Sequence, residues 1–284
     1  MEHRVIRLWR NKLPIGRNER LTIIAGPCQI ESEGMSLRVA EHMQRLCDRN
    51  GLGYVFKSSY DKANRSRGDS PRGVGASEGV RILTKVRETI GCAVTTDVHD
   101  TFEARAVGPH VDIVQIPALL SRQTDLIAAA AKGCDVVNIK RGQFMPPWNA
   151  RHAAEKAERA DKGALLPPAQ VMLTERGHTF GYTDLVADMR NLEIMAERGH
   201  PVIFDASHSV QVPGAGQTGG ARRFIPALAR AAVAVGVAGV FIECHPDPDN
   251  ALSDGPSSLA LSDMEVMVRQ LALLDYSVKA MRVD

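Results

Sequence analysis

The 284-residue chain predicts an α/β fold, a (β/α)8 TIM barrel with an N-terminal β-hairpin. Three observations carry that prediction. Eight short β-branched runs recur along the chain, and a polar, glycine-containing or helically spaced segment stands behind each. No linker, low-complexity block or break in composition divides the sequence. Eight strand–helix units in a chain of this length is the arithmetic of a closed barrel, read as one domain over 1–284. An open doubly wound sheet is the alternative, because closure is not visible in a sequence.

The elements follow in order. Residues 1–20 precede the first run; RVIRLW, a polar turn and a return segment suggest a hairpin that closes the barrel bottom. The runs are LTIIAG (21–26), GYVFKSS (53–59), CAVTTDV (92–98) and VDIVQIP (111–117), then DVVNIK (135–140), VMLTER (171–176), PVIFDA (201–206) and GVFIEC (239–244). Most are nearly continuous apolar stretches, as parallel strands covered on both faces require. Between them, Leu37, Ala40, Met43 and Cys47 fall on one helical face of 36–49, and Leu185, Val186, Met189 and Leu192 share another. The last helix is placed at 262–275, with Met264, Met267, Val268, Leu271 and Leu274 on one stripe and Ser262 or Asp263 as its N-cap. Aromatic residues are only 5%, so the core is aliphatic.

Charge excludes several function classes. Lys and Arg number 35 against 33 Asp and Glu, a net +2. Neither nucleic acid nor an anionic membrane would be attracted over a broad surface by that balance. No run approaches the roughly 20 apolar residues that span a bilayer, and MEHRVIRLWRNK lacks the apolar centre of a signal peptide. The five cysteines are widely spread without CxxC spacing, a reduced pattern that points to the cytoplasm.

In a barrel of this kind, chemistry gathers where strands run into their following loops. Those positions hold Cys28, Lys57, Asp97, Gln115, Lys140, Arg176, His208 and Glu243. Lys57, Lys140 and Arg176, with Lys62, Arg65, Arg67 and Arg72 on the second loop, would converge on a ligand bearing several negative groups. Any one of them alone is ordinarily a solvated surface charge. Cys28, His208, Glu243 and Asp254 form a second set of divalent-metal donors, whose mixed S, N and O chemistry suits Zn, Fe2+ or Mn. Taken singly, Cys28 reads equally as a small core residue, His208 as a hydrogen-bonded strand-end histidine and Asp254 as a turn residue. Cys47, Cys92, Cys134 and Cys244 are assigned to packing, although Cys244 and His245 could compete as ligands. The glycine-rich stretch 213–223 lacks the ending of a P-loop and is read as a lid.

IAGPC, VFKSSYD, the segment Lys62-Ala63-Asn64-Arg65-Ser66, TTDVH, VQIPA, FDASH and FIECHPDP, in that order, closely resemble the 3-deoxy-D-manno-octulosonate 8-phosphate (KDO8P) synthases from about residue 20 to the C-terminus. The related DAHP synthases typically carry Lys-Pro-Arg in the second loop, so KANRS favours the former. The resemblance implies an aldol-type condensation of phosphoenolpyruvate with D-arabinose 5-phosphate and water, giving KDO8P and phosphate. It implies that Lys57, Lys62, Gln115, Lys140 and Arg176 hold phosphoenolpyruvate and that Asn64, Arg65 and Ser66 take the sugar phosphate. Lys62, Asp97 and His208 are the expected catalytic side chains. Cys28 stands where a metal-independent branch carries Asn, so Cys28, His208, Glu243 and Asp254 match the metal-dependent branch, which implies a divalent metal cofactor. A homotetramer is also implied. Three alternatives remain: a DAHP synthase using erythrose 4-phosphate, a Schiff-base aldolase using Lys140, and a non-catalytic sugar-phosphate-binding barrel.

Overall fold

The computed structural model describes residues 3–281 except 9, 11, 66, 67, 164–166, 183 and 214–217. It opens with an antiparallel hairpin of β1 (Ile6–Arg7) and β2 (Pro14–Ile15), in which Ile6 faces Ile15. The barrel follows as β3 (Thr22–Gly26), β4 (Gly53–Lys57), β5 (Ala93–Asp97), β6 (Ile113–Ile116), β7 (Val136–Lys140) and β8 (Gln170–Glu175). A small antiparallel hairpin of β9 (His178–Phe180) and β10 (Asp184–Val186) precedes β11 (Val202–Asp205). A second, of β12 (Gln211–Pro213) and β13 (Thr218–Gly220), precedes β14 (Gly239–His245). Each of the eight barrel strands pairs in parallel with the next, and β14 returns to β3, with Gly239 opposite Thr22, so the sheet is closed. The open doubly wound alternative falls with that pairing. A short β15 (Leu259–Ala260) adds to β14 outside the ring.

One helix follows each barrel strand: α1 (Glu33–Arg49), α2 (Ala76–Ile90), α3 (Thr101–Val107), α4 (Thr124–Gly133), α5 (Ala150–Glu158), α6 (Arg190–Ala196), α7 (Ile225–Val235) and α8 (Met264–Met281). Local chemistry sets their ends. Ser32 accepts a hydrogen bond from the Met35 amide at the start of α1, and Asp100 does the same for the Glu103 amide in α3. Gly91 closes α2 in the left-handed conformation at φ 80°.

Two helical expectations need correction. Leu185 and Val186 do not join a helix with Met189 and Leu192; they lie in β10, paired with Thr179 and His178. Gly181, at φ 65°, turns the chain there, and α6 starts only at Arg190. The last helix, α8, runs Met264–Met281 rather than 262–275, and a 3-10 turn over Leu261–Asp263 leads into it. The glycine-rich stretch begins in the β12–β13 hairpin and ends in a 3-10 turn over Arg222–Phe224, and 214–217 lie outside the described residues.

Strand periodicity divides the apolar residues into two cores. Ile23, Val94, Val114, Val137, Leu173 and Phe204 face outward and pack against the helices. Ile24, Val55, Ala93, Ile113, Val136, Met172 and Ile203 face inward, and Ile6, Leu8, Leu13 and Ile15 of the hairpin pack with them. The hairpin thus fills the bottom of the barrel with hydrocarbon. Two residues further along most strands the inward side chains turn polar: Ile113 gives way to Gln115, Val136 to Asn138 and then Lys140, Met172 to Thr174 and then Arg176. That gradient delivers charge to the top face. Among the described residues no helix is long and apolar enough to cross a membrane.

Candidate active site

The top of the barrel opens into a cavity of about 530 Å3, lined by Lys57, Lys62, Asn64, Arg65, Asp97, Lys140, Arg176, His208 and Asp254, with Asp61, His99 and Gln143 among others. Gly26 makes room at one edge, because a Cβ there would collide with the Lys57 carbonyl. The cations divide by what they bond. Lys57 donates to Glu243 Oε1 at 2.9 Å and lies 3.8 Å from Asp97 Oδ2. Lys140 Nζ sits 2.7 Å from Asp205 Oδ2. Both ammonium groups also stand over the Phe241 ring, at 5.2 and 4.1 Å from its centroid, where the ring face attracts them.

The other three cations meet only neutral oxygens among the described residues. Lys62 donates to Ser59 Oγ at 3.0 Å. Arg65 donates to Gln29 Oε1 at 2.9 Å and to the Leu252 and Pro71 carbonyls at 3.1 Å each. Arg176 donates through Nη2 to Gln211 Oε1 at 2.6 Å, while its Nη1 is buried without a partner. Burial lowers the Arg176 pKa from the usual guanidinium value. A buried guanidinium facing a cavity with an unmet N–H is a receptor for an anion.

Asp97 collects donors. Ser59 Oγ and Gln115 Nε2 both hydrogen-bond its carboxylate. Burial disfavours its charge, but Lys57, Lys62 and Lys140 outweigh that and hold the carboxyl far below the usual carboxylate range. Asp97 is therefore an anion.

Beside the cations, Cys28, His208 and Glu243 bring one ligand atom each to within 4.8 Å of one another. Asp254 Oδ2 joins them, 3.1 Å from Cys28 Sγ and 3.6 Å from His208 Nε2. His208 Nδ1 is held by Asp205 Oδ2 at 2.8 Å, which turns Nε2 toward Glu243 and Asp254. A carboxylate behind the imidazole is the usual arrangement of a metal-binding histidine. Glu243 Oε2 is buried with no partner among the described residues, and Asp254 holds a left-handed backbone at φ 52°. An orphaned carboxylate oxygen and a strained aspartate converging on a thiol and an imidazole fit a divalent cation. Burial works against a charged His208 ring, but the Asp205 carboxylate prevails and pushes its pKa up to about 10.

Lys57, Lys62, Asn64, Arg65, Asp97, Lys140, Arg176 and His208 thus meet at one cavity, with Asp254, Cys28 and Glu243 at its side. Gln115 lies deeper, its amide engaged by Asp97 and Asn138. Ser66 and Arg67 lie outside the described residues. Cys47, Cys92, Cys134 and Cys244 are buried in the outer core, so Cys244 does not compete for the site. Sequence reasoning passed over Asp205, which pairs with both Lys140 and His208; a carboxylate three residues before a strand-end histidine was the available signal. It also passed over His99, whose Nδ1 meets Glu103 Oε2 at 2.9 Å, and the buried Arg141–Glu175 pair that ties the β7 and β8 loops together at 2.6 Å.

Comparison with known proteins identifies the family. The model of the DAHP synthetase I family matches residues 5–279. A 2-dehydro-3-deoxyphosphooctonate aldolase of Acidithiobacillus ferrooxidans is 52% identical over 259 residues, covering 90% of each chain. Proteins of the same name from Dechloromonas aromatica and Caulobacter vibrioides are each 50% identical, over 93% and 94% of this chain and 94% and 91% of their own. With identity of this order along nearly the whole length, the chain belongs to the DAHP synthetase I family and, within it, to the 2-dehydro-3-deoxyphosphooctonate aldolases, also called KDO8P synthases.

Proposed function

We propose that this enzyme condenses phosphoenolpyruvate with D-arabinose 5-phosphate and water to give KDO8P and phosphate, the step that supplies KDO for lipopolysaccharide. The observation that carries the reading is the trio Lys62, Arg65 and Arg176, three cations around one cavity that, among the described residues, bond only neutral oxygens. Two phosphorylated substrates, one with a carboxylate besides, supply the missing negative charge. The name of the relatives favours the five-carbon sugar phosphate over erythrose 4-phosphate.

The residues divide the work. Lys57, Lys140 and Arg176, with Lys62, receive phosphoenolpyruvate; Asn64 and Arg65, with Ser66, receive the sugar phosphate. Holding C3 of the enol against the aldehyde, in a cavity whose charges are already in place, lowers the barrier by orientation and charge stabilisation. A new C–C bond forms there, the aldehyde oxygen takes a proton, water adds its oxygen at C2 and phosphate leaves. Asp97, Lys62 and His208 stand at the reacting centre. Gln115 acts from below by fixing Asp97. Cys28, His208, Glu243 and Asp254 would hold a divalent cation (Zn, Fe2+ or Mn), which would supply Lewis-acid charge to the sugar or to a water. Lys140 needs no covalent role, since Asp205 and a substrate anion account for it. We further read the chain as one domain working in the cytoplasm, where its five free cysteines stay reduced. We read the assembly as a homotetramer, for which exposed Phe144, Trp148, Phe180 and Tyr182 offer apolar surface.

One assay tests substrate, reaction and cofactor together. Chelator-stripped protein is given phosphoenolpyruvate with either arabinose 5-phosphate or erythrose 4-phosphate, with and without added divalent metal, and phosphate release is followed. Release with arabinose 5-phosphate that needs the metal is expected. Preference for the four-carbon sugar would overturn the substrate, and full activity in verified metal-free protein would overturn the cofactor.

A further inference from the structure

Below Asp97 the interior polar side chains form one hydrogen-bonded row across four neighbouring strands. Thr174 Oγ1, on β8, donates to Asn138 Oδ1 at 2.7 Å. Asn138 Nδ2, on β7, donates to Gln115 Oε1 at 3.0 Å. Gln115 Nε2, on β6, donates to Asp97 Oδ1 at the end of β5. Thr174, Asn138 and Gln115 are all buried to within 1% of full burial. Every donor in the row points the same way, toward the carboxylate.

That direction is dictated chemically. An ionised carboxylate only accepts, so Gln115 must offer it the NH2 end and turn its carbonyl toward Asn138. Asn138 must then offer its own NH2 and turn its carbonyl toward Thr174, whose hydroxyl can rotate to donate. Reversing any amide would set two carbonyl oxygens, or an oxygen and a carboxylate, face to face in a site water does not reach.

We propose that Asn138 is a positioning residue for the condensation: acting through Gln115, it holds the Asp97 carboxylate in place beneath the cations that receive the substrates. This role rests on the functional reading above. Asn138 touches no substrate, because Lys140 stands above it on the same strand and lines the cavity in its place. An amide is required at this position because only a group with one accepting and one donating end can pass the direction on. Leu, of similar volume, would leave the buried Gln115 carbonyl without a donor and loosen the amide's hold on Asp97.

The test replaces the relay one atom pair at a time. Asn138→Leu is expected to lower kcat by about 100-fold while KM for both substrates stays within about threefold, and Thr174→Val to lower kcat by about 5–10-fold. Asn138→Asp supplies a diagnostic signature. While the introduced carboxyl is protonated it can donate to Gln115 and preserve the direction; once ionised it accepts and reverses it. Its immediate neighbours in the sheet and the row, Gln115, Met172 and Thr174, carry no charge. The charges above it are Asp97 with Lys57, Lys62 and Lys140, which keep the ionised form on Asp97. The activity of Asn138→Asp relative to wild type should therefore fall by about 10-fold or more as rising pH ionises the introduced carboxyl.

Asn138→Leu and Thr174→Val within twofold of wild-type kcat would overturn the role, and so would an Asn138→Asp to wild-type ratio that is flat with pH. Thr174→Val exchanges a hydroxyl for a methyl and decides the matter should a variant at 138 fail to accumulate. Wild-type protein inactive on phosphoenolpyruvate and arabinose 5-phosphate would overturn the functional reading and this role with it. Active wild type with unaltered variants would overturn the role alone.

Discussion

The two ends of the barrel are built from the same eight strands and stabilised by opposite means. At the bottom, Ile6, Leu8, Leu13 and Ile15 meet Ile24, Val55, Ile113 and Val136 in a dry aliphatic layer. Each such side chain fully buried contributes about 1.5–3 kcal/mol. At the top, Lys57, Lys140, Asp97, Asp205 and Glu243 are removed from water in ion pairs whose desolvation cost rivals their attraction. The bottom holds the barrel together so that the top can keep charges where chemistry needs them. Phe241 is the boundary, apolar core on one side and two ammonium groups on the other.

Substitutions should separate the two ends. The largest effect is expected from Arg176→Met: kcat/KM falls by about 10²–10³-fold, while the melting temperature holds or rises, because a buried guanidinium with an unmet Nη1 is lost. A lowered melting temperature would show that Arg176 stabilises the empty site, and the contrast between the ends would weaken. Next is Ile15→Ala, fully buried in the plug, which should cost about 2–5 kcal/mol in denaturant unfolding with kcat intact well below the melting point. A matching loss of kcat would mean that the plug shapes the site. Phe241→Leu comes third. It keeps the hydrocarbon but removes the ring face under Lys140, and should reduce kcat/KM by about 3–10-fold; an unaffected enzyme would demote the ring to filler.

The smallest effect is a slope. His200 lies at the bottom, just before β11, with Nε2 2.9 Å from Glu158 Oε1. Burial lowers its pKa below the ordinary 6.5 despite Glu158. The unfolded chain therefore takes up this proton first, so the contribution is intact above pH 6.5 and is lost as pH falls through the folded value. His200→Gln should flatten stability between pH 7 and 5. An unchanged slope would place that acid sensitivity elsewhere.

How much of this was legible in the sequence follows from the same geometry. The eight β-branched runs all became barrel strands, because parallel strands under helices need continuous apolar composition. Strand-end positions could be read off one strand at a time, which is why Lys57, Asp97, Lys140, Arg176 and His208 could be nominated from the sequence. Asn138 and Phe241 could not, since their importance lies in which neighbour they face across the sheet. Register alone supplies that. Leu185 and Val186 misled because a short apolar pair beside Met189 and Leu192 satisfies helical spacing equally well, and only the turn at Gly181 decides otherwise.

The plug has a consequence for biosynthesis. Its partners inside the barrel come from strands spread along the chain, and the ring closes only when β14 reaches β3. A ribosome delivers the hairpin before any of the eight strands and the closing strand last. Through most of translation the hairpin's apolar face has no enclosure to enter. Contacts this distant in sequence form slowly, and an uncovered hydrophobic hairpin is prone to wrong associations in the interval. The same four side chains that make the finished barrel secure therefore leave the nascent one open to wrong association until the ring closes.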